Sequence, residues 1–100
     1  MGLFSTLFGK SADFAQLVKD GAIILDVRTP GEYAGGHIKG SKNFPLQSLQ
    51  QNLSKIPKDK VIITCCASGM RSGSAKSILL SNGFKEVHNG GGWMSLKAKI

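Results

Sequence analysis

Cys65-Cys66-Ala67-Ser68-Gly69-Met70-Arg71-Ser72 stands where a strongly apolar run stops and a helical pattern begins. The run before it, Val61-Ile62-Ile63-Thr64, is β-branched throughout and reads as a buried parallel strand. After it, Ser74 to Asn82 carries helix periodicity and meets a stop signal at Gly83. The thiols therefore sit on a strand-to-helix connection. The first N–H groups of a helix have no partner within it, and the helix dipole adds to their charge. Such a loop favours an anion, either a bound oxyanion or a thiolate. Arg71 adds a fixed positive charge and a planar fork of donors. The stretch reads as an anion cradle with a sulfur nucleophile at its start, and both Cys65 and Cys66 are candidates.

Upstream, the same alternation of apolar runs and helical patterns repeats. Ser11 is placed to cap a short helix with Asp13 in its first turn and Phe14, Leu17 and Val18 on its apolar face, ending at Gly21. Ala22-Ile23-Ile24-Leu25 is a second buried strand whose end delivers Asp26 and Arg28 to one face, where a structural ion pair is the simpler expectation. Thr29-Pro30-Gly31-Glu32 has the form of a capping box and predicts a short helix through Tyr33. Gly35 to Lys42 fails as a phosphate-binding P-loop, because Lys and Ser do not follow the last glycine in the required order; it reads as a loop into a short edge strand. His37 within it is expected to be a hydrogen-bonded structural residue.

Leu46, Leu49 and Leu53 share a helical face before Ile56-Pro57-Lys58-Asp59-Lys60 turns the chain into the central strand. Beyond the thiol loop, Lys85 to His88 reads as a short strand running into Gly90-Gly91-Gly92. Three glycines predict a tight turn beside the loop, closed by Trp93, with a last helix over Met94 to Ala98. The whole is an α/β domain with a small, mostly parallel central sheet flanked by helices, its ligand site off the carboxyl ends of the strands.

One hundred residues fit a single domain over 11–100, with the apolar stretch within 1–10 packed on it. That stretch is too short for a signal-peptide core or a membrane span. Met1-Gly2-Leu3-Phe4-Ser5-Thr6 fits a myristoylation pattern, but packing on the domain is the simpler reading. Thirteen Lys and Arg against six Asp and Glu give a net charge of +7, which points to an anionic partner. The basic residues are scattered and not interleaved with aromatics, which argues against nucleic acid and for small anions. Two adjacent cysteines make neither a disulfide framework nor a Cys-x-x-Cys or zinc pattern. A reduced, cytoplasmic setting, no metal, no cofactor, no membrane and a monomer are the expectations.

Taken together, Asp26-Val27-Arg28, Glu32-Tyr33, Gly36-His37-Ile38-Lys39-Gly40-Ser41, Asn43 with Pro45, Cys66 to Ser72 and Gly91-Gly92-Trp93 resemble a single-domain rhodanese over nearly the whole chain. The resemblance implies a sulfurtransferase: a loop cysteine takes the sulfane sulfur of thiosulfate or a similar donor, and a thiol, protein thiol or cyanide takes it from the persulfide. By motif, Cys66 corresponds to the persulfide cysteine, and Ala67, Ser68, Gly69, Met70 and Arg71 to the substrate-binding loop around it. Thr64-Cys65 departs from the family by placing a second thiol before that position. In an extended strand only one of two neighbours can face the cradle, and counting from Cys66 reproduces the rhodanese register, with Cys65 left as a small apolar filler. Two other readings stay open. Cys65 followed by five residues, Arg71 and Ser72 also spells the signature of cysteine-dependent phosphatases and arsenate reductases, and the loop could hold sulfur for a partner as a non-enzymatic relay.

Overall fold

The computed structural model describes residues 12–100. The expected N-terminal packing segment and the Ser11 cap lie outside them. Helix α1 (Phe14–Lys19) is capped by Asp13, whose side chain accepts from the Gln16 amide, so Asp13 is the cap and not a first-turn residue. The chain then runs through β1 (Ile23–Asp26), α2 (Pro30–Ala34), β2 (Lys42–Asn43) and α3 (Leu46–Leu49), which tightens into a 3-10 turn over Gln50–Lys55. It continues through β3 (Ile62–Cys66), α4 (Met70–Ser81), β4 (Val87–Gly92) and α5 (Trp93–Lys99). The strands form one four-stranded sheet in the order β2-β1-β3-β4, parallel throughout.

Strand alternation divides the core. Ile62 and Cys66 join Leu25, Leu49, Ala75 and Leu79 on the α3 and α4 face, while Ile63 and Cys65 join Phe14, Ile24, Ile38 and Leu96 on the α1 and α5 face. Burial on both faces explains why the central strands read as unbroken apolar runs. At the end of β1, Asp26 and Arg28 form a buried ion pair at 2.8 Å, as the simpler expectation had it. Arg28 lies over the Trp93 ring at 4.7 Å and donates to the carbonyl of Gly36 at 2.7 Å, so it ties α5 to the loop after α2. Removing one partner of such a pair leaves an uncompensated buried charge, about 3–5 kcal/mol by general experience.

Thr29 caps α2 with the full reciprocal box to Glu32. His37 takes its structural role: its Nδ1 lies 2.8 Å from the Tyr33 carbonyl oxygen and its ring stacks on Tyr33 at 3.8 Å between centroids. The glycines differ from expectation. Gly90 to Gly92 do not make a tight turn but lie in β4, whose register against β3 shifts between Thr64 and Cys66; Gly91 takes a φ of 80°, and Gly90 and Gly92 have no room for a side chain. A Cβ on Gly90 would come within 2.9 Å of Ile63, Leu96 and the Thr64 carbonyl, and one on Gly92 within 2.9 Å of the Ala67 carbonyl. Bare backbone lets β4 press against both the core and the thiol loop.

Candidate active site

β3 runs two residues further, and its following helix starts four residues earlier, than the sequence pattern predicts: Cys66 is the last residue of β3, and α4 starts at Met70. Gly69 is the cap of α4 and makes no side-chain capping bond; with φ at 107° it occupies the left-handed region that L side chains avoid. That conformation turns the Gly69 N–H back onto the sulfur. Gly69 N donates to Cys66 Sγ at 3.0 Å and Ser72 N at 3.4 Å, while the thiol itself donates to Ser72 Oγ at 3.4 Å. The sulfur thus sits against the N-terminus of a 12-residue helix, where amide donors and dipole act together.

The two thiols meet opposite environments. Burial pushes the Cys65 thiol up to about 12, reinforced by the Asp26 carboxylate and opposed by Arg28. Cys66 also feels burial as an upward push, but its hydrogen bond with the Ser72 hydroxyl and those from the Ser72, Gly69 and Ser68 backbone outweigh it and hold the thiol below its ordinary value. Both residues are at most 1% exposed; Cys66 has hydrogen-bond donors that offset its burial, whereas Cys65 meets burial together with the Asp26 carboxylate.

The loop residues divide in their placement. Ala67, Ser68 and Met70 are exposed on the rim, Met70 to 83%, whereas Ser72 is fully buried beneath the sulfur. Arg71 turns its guanidinium to Glu32, with bonds of 2.7 Å and 3.0 Å to the two carboxylate oxygens. This pairing with Arg71, ahead of the bond from the Thr29 amide, holds the Glu32 carboxyl down to about 2. Arg71 also walls a cavity of about 210 Å³ between Val27, Thr29, Pro30, Pro45, Leu46 and Gln47. The sequence shows Glu32 as a capping residue and part of the rhodanese pattern, shows Ser72 only as a member of the loop motifs, and shows no role for Asn89. Ser72 was within the decisive stretch, and a hydroxyl one turn into the helix behind a thiol is the signal that would have found it. Among the described residues, no group of three His, Cys, Asp or Glu side chains is arranged to hold a metal ion.

A parallel α/β sheet with a thiol at a strand end, facing amides at the head of the following helix, is an arrangement that favours an anionic sulfur. The family is shown by comparison: the model of the rhodanese-like domain matches residues 10–99, and the chain belongs to that family. It is similar to YqhL of Bacillus subtilis, an uncharacterized protein, at 41% identity over 80 residues, covering 79% of this chain and 64% of that one. It is similar to the thiosulfate sulfurtransferase GlpE of Stutzerimonas stutzeri at 38% identity over 69 residues, covering 69% and 63%. The chain thus spans a little under two thirds of the length of these curated relatives. Among solved structures, the rhodanese-related protein from Thermoplasma volcanium superposes with a TM-score of 0.75 at 32% identity, covering 89% of this chain and 91% of that one.

Proposed function

We propose that this chain is a sulfurtransferase that carries sulfur as a persulfide on Cys66. The observation that carries the reading is the Gly69 N–H directed at the Cys66 sulfur from 3.0 Å at the head of α4. In the first step the Cys66 thiolate attacks the sulfane sulfur of thiosulfate or a similar anionic donor. The donor S–S bond breaks, and sulfite leaves with its electron pair. The amides that hold the thiolate then hold the persulfide anion. In the second step a thiol, a protein thiol or cyanide attacks the outer sulfur, and the Cys66 thiolate is the leaving group. Ala67, Ser68, Gly69, Met70 and Arg71 form the donor-binding loop in this scheme, and the net charge of +7 draws anions to it. The curated name of GlpE, a thiosulfate sulfurtransferase, supports the donor class.

The phosphatase reading requires Cys65 as nucleophile. Its burial on the opposite face of the sheet and its raised thiol weigh against that role. Incubation with thiosulfate followed by cyanide tests the proposal: sulfite and thiocyanate should form in equal amounts over many turnovers. Sulfur loading without turnover would leave the relay role, and hydrolysis of an aryl phosphate with no loading would replace the proposal with the phosphatase.

A further inference from the structure

Asn89 lies on β4, outside the thiol loop, yet one amide group of this residue reaches three points around it. Its Nδ2 donates to the Gly69 carbonyl at 3.1 Å. Its Oδ1 accepts from the Ser72 hydroxyl at 2.6 Å and from the Gly91 N–H at 2.9 Å. These partners fix which atom is which, because the Gly91 amide can only donate and the Gly69 carbonyl can only accept. The Ser72 hydroxyl must then be the donor towards Asn89, and it turns a lone pair to the Cys66 thiol 3.4 Å away. The peptide groups on either side of Gly69 depend on the same backbone rotations. A clamp on the Gly69 carbonyl therefore restrains the Gly69 N–H, the donor nearest the sulfur at 3.0 Å.

We infer that Asn89 is a positioning residue for the sulfur-binding loop, aiming the Gly69 amide at Cys66 while it holds the Ser72 hydroxyl proton away from the sulfur. The two arms act in opposite directions. The Gly69 arm favours the sulfur anion, because a restrained N–H faces it before the charge forms. The Ser72 arm favours the neutral thiol, because the hydroxyl must leave Asn89 before it can donate to an anion. Replacing Ser72 by Ala removes the second arm, so the action of Asn89 through the Gly69 amide, 3.0 Å from the sulfur, is read in that background. The same pair of arms would act on the persulfide, and in that respect the inference rests on the sulfurtransferase reading. Its action on the free thiol does not.

The test is the pH dependence of Cys66 alkylation by iodoacetamide, measured on the full chain carrying Cys65→Ala so that one thiol reports. This readout needs no sulfur donor, so it stands or falls separately from the sulfurtransferase proposal. In a Ser72→Ala background, Asn89→Ala should move the alkylation profile to higher pH and slow the reaction at neutral pH roughly three- to tenfold through the lost thiolate fraction. With Ser72 in place the Asn89→Ala profile should lie at lower pH than in that background, because the freed hydroxyl can then donate to the sulfur. Asn89→Ser provides a second variant: its hydroxyl can still accept from the Gly91 amide, but it is too short to clamp Gly69, and it should slow alkylation as Ala does. Circular dichroism melting confirms that each variant compared is folded. Profiles for Asn89→Ala and Asn89→Ser in the Ser72→Ala background that superpose on the profile with Asn89 intact would overturn the inference.

Discussion

Arg71 and Glu32, 39 residues apart in the chain, are joined by two hydrogen bonds that align the guanidinium fork with the carboxylate. The pair bridges the thiol loop to the capping box of α2. For the proposed sulfurtransferase, it also means that the cation assigned to the donor is already engaged by an anion of the protein itself. Both side chains are more than a third exposed or close to it, at 35% and 38%, so the pair adds little to stability.

Glu32→Gln should therefore lower KM for thiosulfate several-fold, because Arg71 no longer has a charged competitor. Arg71→Ala should raise KM more than it lowers kcat, the pattern of a residue that binds the donor. Steady-state kinetics on both variants decide the matter. A Glu32→Gln enzyme with unchanged KM, or an Arg71→Ala enzyme losing kcat and kcat/KM equally, would contradict the competition.

Donor capture should weaken as salt is raised. A net charge of +7 and a cationic loop steer anions over a distance that shrinks to about 10 Å at 0.1 M salt. The expected result is a kcat/KM for thiosulfate that falls steadily with ionic strength while kcat changes less. A flat dependence would remove steering from the account.

Alkaline pH should destabilise the fold through Cys65. Its folded value of about 12 lies above the ordinary 9.0, so its contribution to stability is complete below about 9 and is lost as pH rises through about 12. Cys66 has the opposite sign, since its folded value is lowered. Urea unfolding of the parent and of Cys65→Ala, compared below and within that window, isolates the effect from other titrating groups. The parent should lose more stability than the variant on going alkaline; parallel losses would mean that Cys65 is not held as a buried neutral thiol.

Much of this architecture is legible in the sequence wherever the cause is local. Val61 to Thr64 and Ala22 to Leu25 show their burial in their own side chains, and Thr29 with Glu32 shows its cap within one turn. The start of α4 is less legible, because Met70 and Arg71 face outward and Gly69 caps the helix by backbone conformation alone. The glycines of β4 read as a turn because what forbids a side chain there, Ile63, Leu96 and Ala67, is distant in sequence. The same holds for the site. The Cys66 neighbourhood follows from strand alternation and spacing, whereas the hold of Glu32 on Arg71 and of Asn89 on Ser72 exists only once the sheet has brought separate loops together.

The choice between the thiols is the centre of the account, and mass spectrometry of the intact protein after thiosulfate treatment tests it directly. The parent should gain one sulfur atom, lost again on adding cyanide. Cys66→Ser should gain none. Cys65→Ser should load nearly as well as the parent, at a stability cost of about 1–3 kcal/mol for a hydroxyl placed in an apolar site. Loading that survives in Cys66→Ser and disappears in Cys65→Ser would contradict the assignment of the persulfide to Cys66.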